Sequence, residues 1–250
     1  MRVYAIGDVH GQLDMLTAAH ARIAADREVC RDPAAPVIHL GDYCDRGPDT
    51  AGVVQFLVDG IAAGRPWRAV MGNHDRLFRD FLMDGAITDD RLRSDLNWLS
   101  WNMGGRDTLR SYGIDDTGSL PSEQLHTDAR TRIPEEHRQF LGKLETYIEF
   151  EDLILVHAGI RPGVPMQDQA EDDLVWIRDE FLFDTRDHGK LVVHGHTPVD
   201  TPTNYGNRVN LDTGAGYGRP LTAAVFEGRD CWVLAEGGRE PLPPGPYPMF

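Results

Sequence analysis

An α/β fold is what the 250 residues predict. Strand, loop and helix signals alternate through the first third, strands return in the last third, and short apolar runs repeatedly stop at glycine. Arg2–Ile6 is short, β-branched and aromatic and ends at Gly7, as a buried strand does. Across residues 12–25, Leu13, Leu16 and Ile23 recur near helical spacing with no proline between them, which predicts a helix. Residues 37–40 read as a second buried strand. Residues 50–63 place Val53, Val54, Leu57 and Ile61 at helical spacing again, and residues 68–71 read as a third strand. Strand, loop, helix, repeated in this order, predicts a parallel sheet covered by helices.

Residues 76–146 read differently, with few β-branched runs, two Gly-rich interruptions and many charges. They predict a helical insertion inside one domain. Pro134-Glu135-Glu136 marks a first helical turn, with proline's φ pre-set and acids near the positive end of the dipole. Tyr147–Phe150 and Leu153–Val156 then flank Glu151-Asp152 as a hairpin. Residues 191–193, 208–211, 221–226 and 231–235 complete a second set of strands, with a tight turn at Glu227-Gly228-Arg229-Asp230. Residues 1–238 read as a single domain, and residues 239–250 as a Pro-rich, extended or disordered tail.

Composition narrows the function. A net charge of −15 disfavours both nucleic acid and an anionic membrane surface as partners. It leaves room for a small phosphorylated substrate, because a local cationic centre outweighs an acidic average. Bound metal is one way to make such a centre. Cys30, Cys44 and Cys231 are odd in number and widely spaced, so neither a disulfide framework nor a thiolate zinc site is implied. No secretory or membrane-spanning apolar run is evident, and a cytoplasmic protein is expected.

Five β-like runs end in polar motifs: GDVHG (Gly7 to Gly11), GDYCDRG (Gly41 to Gly47), GNHD (Gly72 to Asp75), HAG (His157 to Gly159) and HGHT (His194 to Thr197). Taken singly, each has an ordinary reading. Gly-Asp after a strand is commonly a turn, and a lone histidine is commonly a core residue. His20, His39, His126, His137 and His188 keep that reading. His194 does too, or it steadies a ligand. Together the five motifs form a pattern, because open α/β sheets bind ligands beyond the carboxyl ends of their strands. Carboxylate, imidazole and amide oxygen suit manganese, iron or zinc. Asp8 and His10, two apart in extended chain, point the same way and reach one ion. Asp42 has two oxygens with which to bridge to a second ion. Asn73, His157 and His196 complete that one.

The ordered motif set resembles the metallophosphoesterase (calcineurin-like) superfamily, and within it the serine/threonine phosphoprotein phosphatases of bacterial and bacteriophage type. The likeness runs from Arg2 to about residue 236, and includes HGHTPV and LDTGAGYG (His194 to Val199, Leu211 to Gly218). It implies a two-sheet mixed β-sandwich flanked by helices, with a dinuclear site at strand carboxyl ends. The implied first ion is held by Asp8, His10 and Asp42, and the second by Asp42, Asn73, His157 and His196, with manganese the expected metal and iron or zinc as alternatives. His74 matches the family's catalytic histidine, held by Asp45. Arg46 and Arg178 match its two phosphate-binding arginines.

Three departures accompany the likeness: Asp75 where glutamate is usual, Cys44 where a branched aliphatic is common, and Arg219 where a second glycine is usual. Tyr217 is a candidate substrate contact. The implied reaction is in-line attack on phosphorus by water that two divalent ions activate, with His74 protonating the leaving oxygen. The expected substrate is a phosphorylated protein. A symmetrical diadenosine tetraphosphate hydrolase, or another small-molecule phosphoesterase, is the alternative. The symmetrical hydrolases tend to carry alanine where Asp45 stands, which favours the phosphatase. A non-catalytic binding protein on the same fold is the remaining alternative, and the intact ligand set argues against it.

Overall fold

Along Arg2–Ile6, the first strand (β1), Val3 and Ala5 enter one core while Tyr4 and Ile6 enter another. That two-residue alternation places the strand between two apolar layers. A computed structural model describes residues 1–114 and 120–245. After β1 come α1 (Leu13–Cys30), β2 (Val37–His39), α2 (Thr50–Ala62), β3 (Trp67–Ala69), α3 (Asn73–Asp84), α4 (Gly105–Ser111), α5 (Ser122–Arg132) and α6 (Glu135–Leu141). The chain continues through β4 (Tyr147–Phe150), β5 (Leu153–Val156), α7 (Glu171–Trp176), α8 (Asp179–Leu182) and β6 (Leu191–His194). It then forms β7 (Thr203–Asn204), β8 (Arg208–Asn210), β9 (Ala223–Glu227), β10 (Asp230–Ala235) and β11 (Gly238–Pro241).

The strands form two mixed sheets, ordered β11-β10-β9-β1-β2-β3 and β4-β5-β6-β8-β7. The parallel sheet expected from the first half is present as β1, β2 and β3. It is one part of a larger sheet, because β9 pairs antiparallel with the other edge of β1. In the second sheet β5, β6 and β8 run parallel, with β4 and β7 antiparallel at the edges. Val3, Ala5, Ile38, Leu40 and Val70 of the first sheet pack on Leu155, Val193, Val209 and Leu211 of the second. The outer face of the first sheet carries α1, α2 and α3 through Leu16, Ile23, Val53, Leu57 and Phe78. The outer face of the second takes Leu174, Ile177 and Phe181 from the α7–α8 segment. The two-sheet sandwich flanked by helices is therefore the fold.

Several local expectations shift. The first helix runs five residues beyond Ala25, to Cys30, and closes on Arg31 in the left-handed region. Asp49 caps α2, its Oδ1 accepting from the Gly52 amide at 2.8 Å. Pro134 stands just before α6, as its N-cap, with Glu135 and Glu136 in the first turn. GNHD is a helix start rather than a loop, since Gly72 caps α3 and Asn73, His74 and Asp75 form its first turn. Strands β7 and β11 carried no sequence signal. β11 pairs with β10 through Pro241, so the sheet continues past residue 238, where the tail was expected to begin. The rest of that tail is described only to residue 245. Among the described residues, no helix is long and apolar enough to cross a membrane.

Candidate active site

The five motifs meet at one edge of the sandwich. Three of them follow β1, β2 and β3 in the first sheet, and two follow β5 and β6 in the second. Asn73 ties the sheets together: its Oδ1 lies 3.0 Å from His157 Nε2 and 2.8 Å from His196 Nδ1. Asp8 Oδ2 accepts the His196 amide at 3.0 Å, and Asp42 Oδ1 accepts the His74 amide, also at 3.0 Å. Asp75 binds two motifs to each other, since its carboxylate accepts the amides of Asp42, Tyr43 and Gly72 at 2.7, 2.8 and 2.9 Å. The shorter acid at this position thus works as a brace. Only glycine fits at position 72, where a Cβ would meet Asp42 Oδ1 at 2.1 Å.

The backbone is strained where the chemistry is. Among the described residues, seven other than glycine have positive φ, and five of them are His10 (46°), Asp42 (52°), Asp45 (71°), Arg46 (67°) and His196 (65°). Left-handed conformations cost L-residues about 1–2 kcal/mol each. Such strain persists where surrounding contacts over-determine the conformation, and it collects at functional sites.

The donor set fits divalent cations. His10 Nδ1 donates to the Cys44 carbonyl and His157 Nδ1 to the Leu40 carbonyl, each at 2.8 Å. These bonds assign the proton to Nδ1 and leave a lone pair on each Nε2. Both lone pairs face Asp42, with His10 Nε2 3.4 Å from Oδ2 and His157 Nε2 3.5 Å from Oδ1. His157 Nε2 also lies 3.0 Å from Asn73 Oδ1, and acceptor facing acceptor inside a buried site calls for a cation between them, a need that the Arg46 guanidinium meets at His10. Two further buried atoms, Asp8 Oδ1 and His196 Nε2, have no hydrogen-bond partner. Among the described residues, the groups close enough to hold a metal ion are Asp8–Asp42–His157 and His10–Asp42–His74, which share Asp42 but separate Asp8 from His10 and bring in His74. Cys44 now has a role through its backbone, as the carbonyl that sets the His10 tautomer.

Electrostatics agree. Burial, then Asp212 and Asp42, push the Asp8 carboxyl well above its ordinary range. Burial holds His10 and His196 well below theirs and brings His157 down to about 4. Crowded acids beside neutral imidazoles are what a bound cation relieves. The Arg46 guanidinium sits in this field, with Nη1 2.9 Å from His10 Nε2 and Nη2 2.9 Å from His74 Nε2. An ion on His10 therefore requires Arg46 to turn away.

His74 Nδ1 lies 2.6 Å from Asp45 Oδ2. The Trp98 indole N–H and the Thr108 hydroxyl donate to the same carboxylate, at 2.9 and 2.7 Å. Burial pushes Asp45 up to about 7, against those donors, and brings His74 down to about 3. Arg178 is exposed and caps α8. After burial itself, its charge is among those that disfavour protonation of His74, His157 and His196.

Every sequence-predicted site residue therefore lies in or beside one cluster. Sequence reasoning missed Asp212, Trp98 and Thr108, and it gave Asp75 no role. Asp212 lies within the LDTGAGYG segment, so a signal existed. Trp98 and Thr108 belong to the insertion and carried none.

Residues 1–218 match the model of the calcineurin-like phosphoesterase family. The asymmetrical bis(5′-nucleosyl)-tetraphosphatase PrpE of Anoxybacillus flavithermus is 28% identical over 241 residues, covering 88% of this chain and 89% of its own. Its namesake in Bacillus subtilis is 26% identical over 244 residues, with the same coverage. A solved structure described as a putative diadenosine tetraphosphatase aligns with a TM-score of 0.62 at 20% identity, covering 98% and 95% of the two chains. A cold-active protein-tyrosine phosphatase of a Shewanella species aligns with a TM-score of 0.62 at 17% identity, covering 97% and 80%. These curated relatives are named as tetraphosphatases rather than serine/threonine phosphatases, a likeness that favours the small-molecule phosphoesterase alternative over the phosphatase expected from the motifs. The matched family model, the sandwich and the convergent acids and histidines agree: the chain belongs to the calcineurin-like phosphoesterase family and is a phosphoester hydrolase.

Proposed function

We propose that the chain hydrolyses bis(5′-nucleosyl) tetraphosphates asymmetrically. The observation that carries this reading is the match, over 88% of this chain and 89% of the relative, to enzymes named for that reaction. Four phosphates are joined by three anhydride linkages, and cutting an outer one leaves a nucleoside monophosphate and a nucleoside triphosphate. The Asp45 argument against a symmetrical hydrolase does not bear on an asymmetrical one. A phosphoprotein substrate has no comparable support among these relatives.

Asp8, His10 and Asp42 would hold one divalent ion, and Asp42, Asn73, His157 and His196 a second. When bound, the ions supply Lewis acidity to phosphoryl oxygens and lower the pKa of water. The chain's own residues do the rest. The Cys44 and Leu40 carbonyls keep Nε2 of His10 and His157 available as ligand atoms. Arg46, released from His10, turns its planar fork toward the phosphoryl oxygens, and Arg178 adds a second guanidinium at the rim. His74, oriented by Asp45 through Nδ1, would deliver a proton to the leaving oxygen from Nε2 once Arg46 has turned away and bound phosphate offsets the burial that keeps the imidazole neutral. Trp98 and Thr108 hold Asp45 in turn.

Chromatography of the products formed from diadenosine tetraphosphate with Mn²⁺ tests the reading. Equal amounts of AMP and ATP are expected. ADP alone would establish a symmetrical cut, and turnover of a phosphoserine peptide without turnover of the dinucleotide would restore the protein phosphatase.

A further inference from the structure

Tyr217 is a large side chain left 62% exposed beside an otherwise buried site. The Arg46 guanidinium carbon lies 5.0 Å from its ring centroid, so one region of the ring is covered by the cation that faces phosphate. Backbone hydrogen bonds close the turn that carries it. Tyr217 ends the 3-10 turn Ala215–Tyr217 between Gly214 and Gly218, both left-handed at 81° and 78°. The Tyr217 and Arg219 amides donate to the Gly214 carbonyl at 2.9 and 3.2 Å. The Arg219 side chain fastens the turn to Asp200 at 3.0 Å, which gives a role to arginine where the family usually has glycine. The turn also presses on the ligand set, because a Cβ on Gly216 would meet His10 Cδ2 at 2.6 Å. A fixed aromatic ring, open to solvent and touching a phosphate-binding arginine, matches a flat base tethered through ribose to the phosphate on that arginine.

We propose that Tyr217 is the platform on which the nucleobase nearer the cleaved phosphate stacks, and that it selects nucleoside-bearing substrates over bare phosphate chains. This rests on the tetraphosphate reading above. The placement suits an asymmetrical cut, in which one nucleoside is attached to the cleaved phosphate itself. A central cut would put two phosphates between each base and the broken bond.

The test is steady-state kinetics on the Mn²⁺-loaded wild type, Tyr217→Ala and Tyr217→Phe. KM is measured for diadenosine tetraphosphate, and the inhibition constant for inorganic tetraphosphate, which has no base. Base–aromatic stacking predicts a rise in KM of about 5- to 150-fold for Tyr217→Ala. Tyr217→Phe keeps the ring and restores KM toward wild type, and the inhibition constant of the base-free competitor stays in place. An unchanged KM in Tyr217→Ala would overturn the platform. So would equal weakening of dinucleotide and inorganic tetraphosphate, which would make Tyr217 a support for Arg46. A wild type that hydrolyses other phosphoesters but leaves diadenosine tetraphosphate intact would instead remove the tetraphosphate reading and the base with it.

Discussion

His39 of β2 pairs with His20 of α1 inside the sheet's covering layer, while His10, His157 and His196 gather just beyond the strand ends, and the two groups differ in what their nitrogens meet. His39 is fully buried, held down to about 4 by burial, and its neighbour His20 is held down to about 2. His10, His157 and His196 are buried and depressed in the same way. Burial and pKa direction therefore do not separate the two groups. Their partners do. His39 is satisfied at both nitrogens, by His20 Nε2 at 3.0 Å and the Arg68 carbonyl at 3.0 Å, and His20 packs against Trp67 and Phe56. In the site, the His157 lone pair faces the Asp42 carboxylate, Asp8 Oδ1, His196 Nε2 and Arg46 Nε are buried without a partner, and the backbone is left-handed at five positions. Unsatisfied acceptors and strain mark the functional cluster, whereas the His20–His39 pair is a completed piece of core.

Breaking the functional side should have the largest effect. Asp42→Asn removes a carboxylate common to both clusters. Losing even a partner of a metal ligand costs 10–100-fold in affinity or activity, so kcat/KM should fall by more than about 100-fold. Retained turnover together with retained metal would sink the bridging role.

His74→Asn should come next, with metal content unchanged. General acid catalysis contributes about 10²–10⁴-fold, and that full loss is expected on an alkyl phosphomonoester. A triphosphate leaves as a weaker base, its terminal group having a second pKa of about 6, so the loss on diadenosine tetraphosphate should be smaller. Equal losses on both substrates, or loss of metal, would show that His74 acts as a ligand rather than as an acid.

Trp98→Phe removes the indole N–H from Asp45 while keeping an aromatic ring in the core. A drop in kcat of about 10-fold is expected, by analogy with partners that orient ligands. An unchanged kcat would leave Trp98 as packing alone.

The completed histidine pair should affect stability alone. The folded pKa of His39, about 4, lies below an unfolded value near 6.5. Its contribution is therefore full above about pH 6.5 and lost as pH falls through 6.5 toward 4, because the unfolded chain takes the proton that the folded chain refuses. One such group is worth on the order of 2 kcal/mol between pH 7 and 5. Denaturant titrations with chelator present should show a shallower pH slope in His39→Asn than in the wild type. Parallel slopes would contradict the assignment.

The same comparison explains what was legible in the sequence. Asp8, His10, Asp42, Asn73, His157 and His196 stand just after apolar β runs, so local pattern plus strand-end geometry located them. The β1, β2 and β3 rhythm was readable for the same reason, since parallel buried strands are continuous apolar runs. The supports were not readable. Trp98 and Thr108 reach Asp45 from 53 and 63 residues away, through an insertion with no strong periodicity. β11 ends at a proline on a sheet edge and resembles a tail until its pairing with β10 is seen. The finer substrate class was not legible, because metal and arginine motifs report phosphoester chemistry and say little of what is attached to the phosphate.

The central claim is that two ions share Asp42, and metal stoichiometry tests it most directly. Mn²⁺ titrated into metal-free protein should saturate at two ions per chain in the wild type, with both sites weakened in Asp42→Asn. Saturation at one ion in the wild type, or two undiminished sites in Asp42→Asn, would contradict the account.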